Sequence, residues 1–373
     1  ICRIIDSSPQ SKMILTTRQE YFQSRAEVQE VFKHRDKTNY RFIHLLPFDD
    51  DQIRQYLASH TGDPGLYWQQ IKDIFDLHDL AKRPVLLELI VDYLPKLVKE
   101  KGKGAAINAS DLYRKCIDDE LGRKSKELNF IVPGRYRLEI LQKLAVWMFS
   151  NEALSFDTGL LAEELQLKQY FKTDRAWEFE KYLNEFLTFT FLIREADNRY
   201  RMSHKSFRDY LAARAFVDEI NSGTIEHVGR NKLSKEIIHF ILEQGPKEEA
   251  LLALVSNARD LPEQRRRQGT NGANILLGID KSALKGRDLP GCQLTHVDFR
   301  ECDLTGAGFH QADLSDCFFT REILSARLQD TKFENSSLNL FAAGIEDMSF
   351  LEKFRGLGSL VLADNKISDL SPL

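Results

Sequence analysis

Cysteine is scarce in this chain and never paired by spacing. Cys2, Cys116, Cys292, Cys302 and Cys317 are the only five among 373 residues, and no two form a CxxC. The usual zinc spacings and a disulfide framework are thereby excluded, which suits a reducing cytoplasm. Long apolar runs are missing as well. Nothing approaches the roughly 18–20 consecutive apolar residues of a membrane helix. Neither sign of charge dominates: the net charge is −4, so there is no general attraction to nucleic acid or anionic lipid. The signatures GxxxxGK(S/T), HExxH and GxSxG do not occur. The first residues, Ile1-Cys2-Arg3-Ile4-Ile5-Asp6, are neither a signal peptide nor a Met start. The sequence reads as a piece of a longer protein, open at both ends.

What is present is the composition of a folded, multidomain chain: 42% hydrophobic and 29% charged. Residues 1–50 alternate strand and helix. Lys12-Met13-Ile14-Leu15-Thr16-Thr17 and Phe42-Ile43-His44-Leu45-Leu46 are strand-length apolar runs, and residues 19–33 between them carry a modest helical period. This βαβ order predicts part of a parallel sheet. Residues 50–260 follow helical spacing, with starts at Asp49 or Asp50, Pro84 and Ser110, and apolar Leu138, Leu141, Leu144 and Met148 in a further helix. Phe189–Arg194 and Arg199–His204 flank a turn and predict a hairpin. A helix restarts there, with Ser206 and Asp209 in capping-box spacing. Helices followed by a hairpin predict a winged helix. Arg265-Arg266-Arg267 lies in a polar, glycine-containing stretch that reads as a mobile linker.

Two repeats follow. Leu284, Leu289, Leu294, Phe299, Leu304, Phe309, Leu314, Phe319 and Leu324 recur every five residues, with Cys292, Val297, Cys302, Ala307, Ala312 and Cys317 two places before six of them. Neither 3.6 nor 2 divides five. The pattern instead predicts a square β-helix with large residues inside, and it resembles the pentapeptide-repeat family. Four units per turn would give about three coils over residues 282–340. The second period is 22: Leu338, Leu340, Ile345, Met348 and Leu351 recur as Leu360, Leu362, Ile367, Leu370 and Leu373. Leu360–Ile367 matches LxLxxNxI of leucine-rich repeats, whose Asn satisfies backbone groups at a bend. Ala343 stands where the earlier copy would have its Asn.

Three isolated positions remain as chemistry. Arg18 directly follows the first strand-length run, at an edge where open parallel sheets bind ligands, and its fixed charge suits a phosphate. Pro84 opens a helix, and His204 precedes one. Taken together, Lys12–Arg18, Leu46–Leu57, Arg83–Leu87 and Tyr200–Ala213 resemble, in order, segments of NACHT-type signal-transduction ATPases, the class that includes NOD-like receptors. Arg83 replaces a commonly small residue. The resemblance covers roughly residues 1–215. It implies that Arg18 senses the terminal phosphate as sensor 1, that Pro84 packs near adenine, and that His204 holds the ADP β-phosphate and locks an inactive state.

The resulting domain map runs from the C-terminal part of a NACHT nucleotide-binding domain (1–58) to a helical domain (59–108) and a winged helix (109–216). A helical region and linker (217–280) lead to a right-handed pentapeptide β-helix (281–337) and truncated leucine-rich repeats (338–373). The fold class is thus multidomain α/β, α and β-solenoid. Walker A and Walker B would precede Ile1. The full-length protein would be a regulatory NTPase using ATP/ADP with Mg²⁺, while this piece alone would hold no nucleotide and be inactive. The expected role is cytoplasmic signalling, in bacterial innate immunity or antiphage defence, with a protein ligand sensed by the repeats and homo-oligomerisation on activation. No metal site, specific DNA binding or membrane is expected. The alternatives are a nucleotide-independent scaffold and a winged-helix transcription regulator. The latter is disfavoured because Trp177–Leu187, the helix before the hairpin, is acidic and apolar.

Overall fold

The computed structural model describes residues 46–371 apart from 74–77, 79–80, 102–106, 128–131, 172–174, 188–190, 196–198 and 263–264. The chain divides into two units, 1–49 and 50–373, and every described helix and strand belongs to the second. The strand–helix–strand pattern expected before residue 46, with Arg18, lies outside the described residues. No described helix is long and apolar enough to cross a membrane.

Helix α1 (Asp50–His60) begins on the acidic run, with Asp50 and Asp51 in the first turn where the dipole favours them. Its partner in sequence is α2 (Pro64–Asp73). In α3 (Pro84–Lys101) the opening proline loses nothing, since an N1 amide has no intrahelical partner. Leu86, Leu87, Ile90, Tyr93, Leu94 and Leu97 form its buried stripe. α4 (Ala109–Glu127) buries Leu112, Tyr113, Cys116, Ile117 and Leu121 at the same spacing.

Next come α5 (Gly134–Ser150), β1 (Phe156–Asp157), α6 (Thr158–Glu164), α7 (Lys168–Phe171), α8 (Ala176–Leu187), β2 (Leu192–Arg194) and β3 (Arg199–Met202). The three strands make an antiparallel sheet in the order β1-β3-β2, with Phe156 opposite Tyr200 and Leu192 opposite Met202. α9 (Lys205–Ser222) is the central helix. It packs chiefly on α5, where Phe216 meets Phe149 edge-on with ring centroids 5.3 Å apart. Gly223, with φ +75°, ends α9 in the left-handed conformation that glycine adopts without strain. Immediately beyond, the Glu219 carboxylate accepts hydrogen bonds from the backbone of His227 and Val228 and lies 2.7 Å from His227 Nδ1.

α10 (Lys235–Glu243), α11 (Glu248–Ser256) and α12 (Gln268–Ile279) complete the helical part. Arg265–Arg267 form the turn into α12, and the glycine-containing residues that follow, expected as linker, are helical. Gln268, Gly269, Thr270, Asn271 and Gly272 are buried in α12, because each polar side chain closes a backbone group of a neighbouring segment. Gln268 Nε2 donates to Leu254 O at 3.0 Å. Asn271 donates to Val228 O and Asn231 O at 2.7 and 2.8 Å and accepts from Leu233 N at 3.1 Å. Thr270 Oγ1 donates to Thr295 O at 2.7 Å, which ties α12 to the repeats. Arg265 donates to Gln268 Oε1 at 3.0 Å, and the Arg267 backbone donates to Gly229 O at 2.9 Å.

The repeats coil as the period of five requires. Asp288, Gln293 and Asp298 bridge in parallel to Gly308, Asp313 and Phe318, an offset of 20 residues or four pentapeptides. Leu284, Leu289, Leu294 and Phe299 are buried in one coil, and Leu304, Phe309, Leu314 and Phe319 in the next. Phe299 stacks on Phe319 with ring centroids 5.3 Å apart. Cys292, Cys302 and Cys317 are free thiols in the small interior positions, and burial pushes Cys317 up to about 12. The corners lie two residues after each large one. Gly286, Gly291, His296, Glu301, Gly306, Gln311 and Asp316 all take positive φ between 57° and 70°.

The period slips once. A short 3-10 turn at Arg321–Ser325 buries Ile323 where the sequence period marks Leu324. The third coil then runs Ile323, Leu328, Phe333 and Leu338, and its bridges fall 19 residues on, Gly308 to Arg327 and Asp313 to Lys332. Strands β4 (Phe318–Phe319), β5 (Ser337–Asn339) and β6 (Ser359–Val361) pair in parallel, β5 to β6 at an offset of 22. One sheet thus carries the five-residue period into the 22-residue one. Asn365 closes the bend: its Nδ2 donates to Leu340 O and Leu362 O at 2.7 and 2.8 Å, and its Oδ1 accepts from Ile345 N at 2.9 Å.

Gly269 is the tightest point of this joint. A Cβ there would lie 2.3 Å from Gln293 O and 2.6 Å from Ala258 Cβ, whereas one on Gly122 in α4 would meet nothing within 4 Å. Gly269→Ala is expected to lose about 1–3 kcal/mol by overpacking, and Gly122→Ala to gain about 0.5–1 kcal/mol. Denaturant melts of both variants check this; a neutral Gly269→Ala would refute the packing.

Candidate functional site

A part-buried polar corner surrounds the start of α9. His204 is its N-cap, in extended conformation (φ −147°, ψ 147°), and its Nδ1 accepts from Ser206 N at 3.2 Å. Ser206 Oγ lies 2.5 Å from the same Nδ1 and accepts a 2.6 Å hydrogen bond from the Tyr113 hydroxyl of α4. The capping box read from Ser206 and Asp209 is therefore not formed. The cap sits two residues earlier, Ser206 turns to His204 and Tyr113, and Asp209 pairs with Arg208 at 2.8 Å. Burial raises the Asp209 carboxyl although Arg208 and Lys205 pull it down.

Tyr113 is 1% exposed. Its ring stacks on Tyr210 at 5.4 Å and meets Phe207 and Phe240 edge-on at 5.1 and 5.2 Å, which fixes the hydroxyl's direction. Burial raises the Tyr113 hydroxyl well above the usual tyrosine range, against the opposing pull of Ser206 and Arg83. Arg83 precedes Pro84, and its carbonyl receives the amides of Leu86 and Leu87 at 2.9 Å, so it caps the entry to α3. Its charge also lowers Glu236 of α10, after that residue's own backbone amide and alongside Lys205.

The three positions singled out from the sequence therefore stand as follows. Arg18 lies outside the described residues. Pro84 is exposed at the first position of α3, and His204 is half-buried at the cap of α9. His204 reaches Tyr113 only through the Ser206 hydroxyl, and the charge of Arg83, next to Pro84, lowers the Tyr113 hydroxyl against the effect of burial. Sequence reasoning missed Ser206 as a partner of His204 and Tyr113 as the partner of Ser206. The Tyr113–Ser206 bond spans 93 residues, and no spacing rule links them. It also missed Glu243 of α10, whose carboxylate caps α4 by accepting from Ala109 N at 3.1 Å and from Ser110 N and Oγ at 2.8 and 2.9 Å. A cavity of about 300 Å³ opens beside this cap, lined by Asp111, Arg114, Tyr210, Arg214, Asp218 and Glu243 among others. Among the described residues, no cluster of His, Cys, Asp and Glu fits a metal ion.

Against known proteins, residues 285–321 match the family of pentapeptide repeats, as eight copies. The chain is also 23% identical, over 347 aligned residues, to an uncharacterized WD repeat-containing protein of Nostoc sp.. That likeness covers 75% of this chain but only 22% of the relative's length. It is too long to lie in the repeats alone and extends into the helical part.

A carboxylate at a helix N-terminus, bonded to two orphan amides, is worth more than an exposed ion pair. Glu243→Ala is expected to destabilise the chain by about 1–3 kcal/mol, with Glu243→Gln intermediate, as read by thermal melting.

Proposed function

We propose that this chain is part of a nucleotide-switched signalling ATPase whose repeats sense a protein ligand and whose activation proceeds by homo-oligomerisation. The observation that carries the reading is the place of His204 at the N-cap of α9, joined through the Ser206 hydroxyl to Tyr113 of α4. Arg83–Leu87, with Pro84, and Tyr200–Ala213, with His204, are two of the segments that resemble NACHT-type ATPases, and Pro84 and His204 lie 120 positions apart in the sequence. His204 also stands at the N-terminus of the 18-residue α9, where the helix dipole favours an anion. A phosphate suits that place. On this reading His204 holds the β-phosphate of ADP, Pro84 packs near adenine, and Arg18 reads the terminal phosphate of ATP, which is taken with Mg²⁺. Exchange of ADP for ATP frees His204 and lets the helices around α9 rotate.

The order of α5, β1, α6, α7, α8 and the β2–β3 hairpin supports a winged helix in this region. α8 carries Glu178, Glu180 and Glu185 against a single lysine, Lys181, so a DNA groove is a poor partner for it. The repeats supply an extended surface of the kind used for protein ligands. Bacterial innate immunity or antiphage defence is the setting this reading favours, because pentapeptide repeats are mainly bacterial. The second reading, a nucleotide-independent scaffold, is favoured by the likenesses themselves. Both the family match and the relative's name concern repeats.

The full-length protein, purified and denatured, is expected to release about one ADP per chain. His204→Ala should release less and raise basal activity, since loss of one phosphate contact biases the switch by roughly ten- to a hundredfold. Arg18→Ala should keep ADP and lose the response to ATP. Quantifying released nucleotide by chromatography decides between the readings, because a wild-type protein free of nucleotide and unable to bind it leaves only the scaffold.

A further inference from the structure

The cavity of about 300 Å³ between α4, α9 and the end of α10 carries charges of both signs on its walls. Most of them are already engaged. Asp111 accepts from Asn108 N at 3.2 Å and lies 3.1 Å from Arg114 Nη2. Glu243 accepts from the amides of Ala109 and Ser110 and lies 3.2 Å from His239 Nε2. These groups belong to the fold. Arg214 and Asp218 differ from them. They stand four residues apart on α9, one turn along the same face, where opposite charges ordinarily meet. The order Arg before Asp favours direct pairing less than the reverse, and neither side chain has an ion-pair partner among the described residues. Arg214 is half-buried, and its Nη1 is sealed from water with no hydrogen-bond partner. A buried charged donor without an acceptor is rare in a native protein, and an arriving anion is one way to complete it. The Arg214 charge is felt locally: it draws the Tyr210 hydroxyl down, against the larger upward effect of burial. Asp218, on the same wall, is exposed.

We propose that this cavity binds a free α-amino acid, with its carboxylate on the Arg214 guanidinium and its ammonium on the Asp218 carboxylate. One zwitterion supplies both absent partners at once, and a guanidinium presents its donors in the fork that a carboxylate matches. A phosphate is the poorer ligand. Asp111, Asp218 and Glu243 share the walls, and their charge repels a dianion, whereas an amino acid brings no net charge. The volume is at the small end for ligand pockets, which suits a compact molecule. The proposal goes beyond the nucleotide switch and does not rest on it.

Calorimetric titration of the full chain with each common free L-amino acid tests this. At least one is expected to bind saturably. Its N-acetyl derivative keeps the carboxylate and loses the ammonium, and its methyl ester does the converse. Each should bind about tenfold more weakly or worse, as for loss of one charged contact. Arg214→Gln and Asp218→Asn should weaken the parent amino acid by the same factor, and inorganic phosphate should not displace it. Melting temperature separates a binding role from a structural one. Arg214→Gln removes a half-buried charge that has no partner, so the variant is expected to melt at or above the wild type. A lower melting temperature makes the guanidinium a part of the fold and overturns the proposal. So does a chain that binds none of the amino acids, or affinity unchanged in both variants. An N-acetyl derivative that binds as well as its parent shows a site for a carboxylate alone, such as a peptide C-terminus, and competition by phosphate shows a general anion site. Either result overturns the zwitterion.

Discussion

Backbone amides and carbonyls left over where one kind of repeat gives way to another must find partners, and the architecture depends on how they do. A buried polar group without one loses about 1–3 kcal/mol, and this chain has several such junctions. Glu243 closes the start of α4. His204 closes the start of α9. Asn271 holds the loop at Val228, Asn231 and Leu233, and Asn365 holds the bend beyond β6. Each closure comes from a side chain distant in sequence or two or more residues away. Each therefore fixes the relation between two elements as well as the end of one. The candidate site is one of these closures, with a tyrosine and a serine added behind the capping histidine.

What the sequence disclosed follows from how each signal is written. The coil was legible because Leu284 to Phe319 repeat in strict phase and burial depends on little else. It became illegible at the 3-10 turn of Arg321–Ser325, where a single slipped position moves the interior from Leu324 to Ile323. Gly286, Gly291 and Gly306 mark the left-handed corners, but His296, Glu301, Gln311 and Asp316 take the same φ and hide the rule. Helix starts at Asp50 and Pro84 carried their own chemistry and could be read directly.

The failures have the opposite character. Gln268-Gly269-Thr270-Asn271-Gly272 has the composition of a linker because composition counts polar atoms without asking what they bond. In α12 nearly all of that polarity faces inward and is satisfied. At the candidate site, His204 was visible from its place between strand and helix, while Tyr113 was indistinguishable from the apolar stripe of Leu112, Cys116 and Ile117. Its hydroxyl matters only because α4 and α9 cross where they do, and no local pattern encodes a crossing.

The shared sheet of β4, β5 and β6 has a mechanical consequence. Each coil bonds only to the coils before and after it, so a solenoid of this kind yields like a zipper, one rung at a time, when tension acts along its axis. α12 interrupts that zipper differently. Through Gly269 and Thr270 it grips the first coil broadside, and a pull there would have to shear many contacts together. Tension on the repeats would therefore be expected to part the coils before it parted α12 from the first of them.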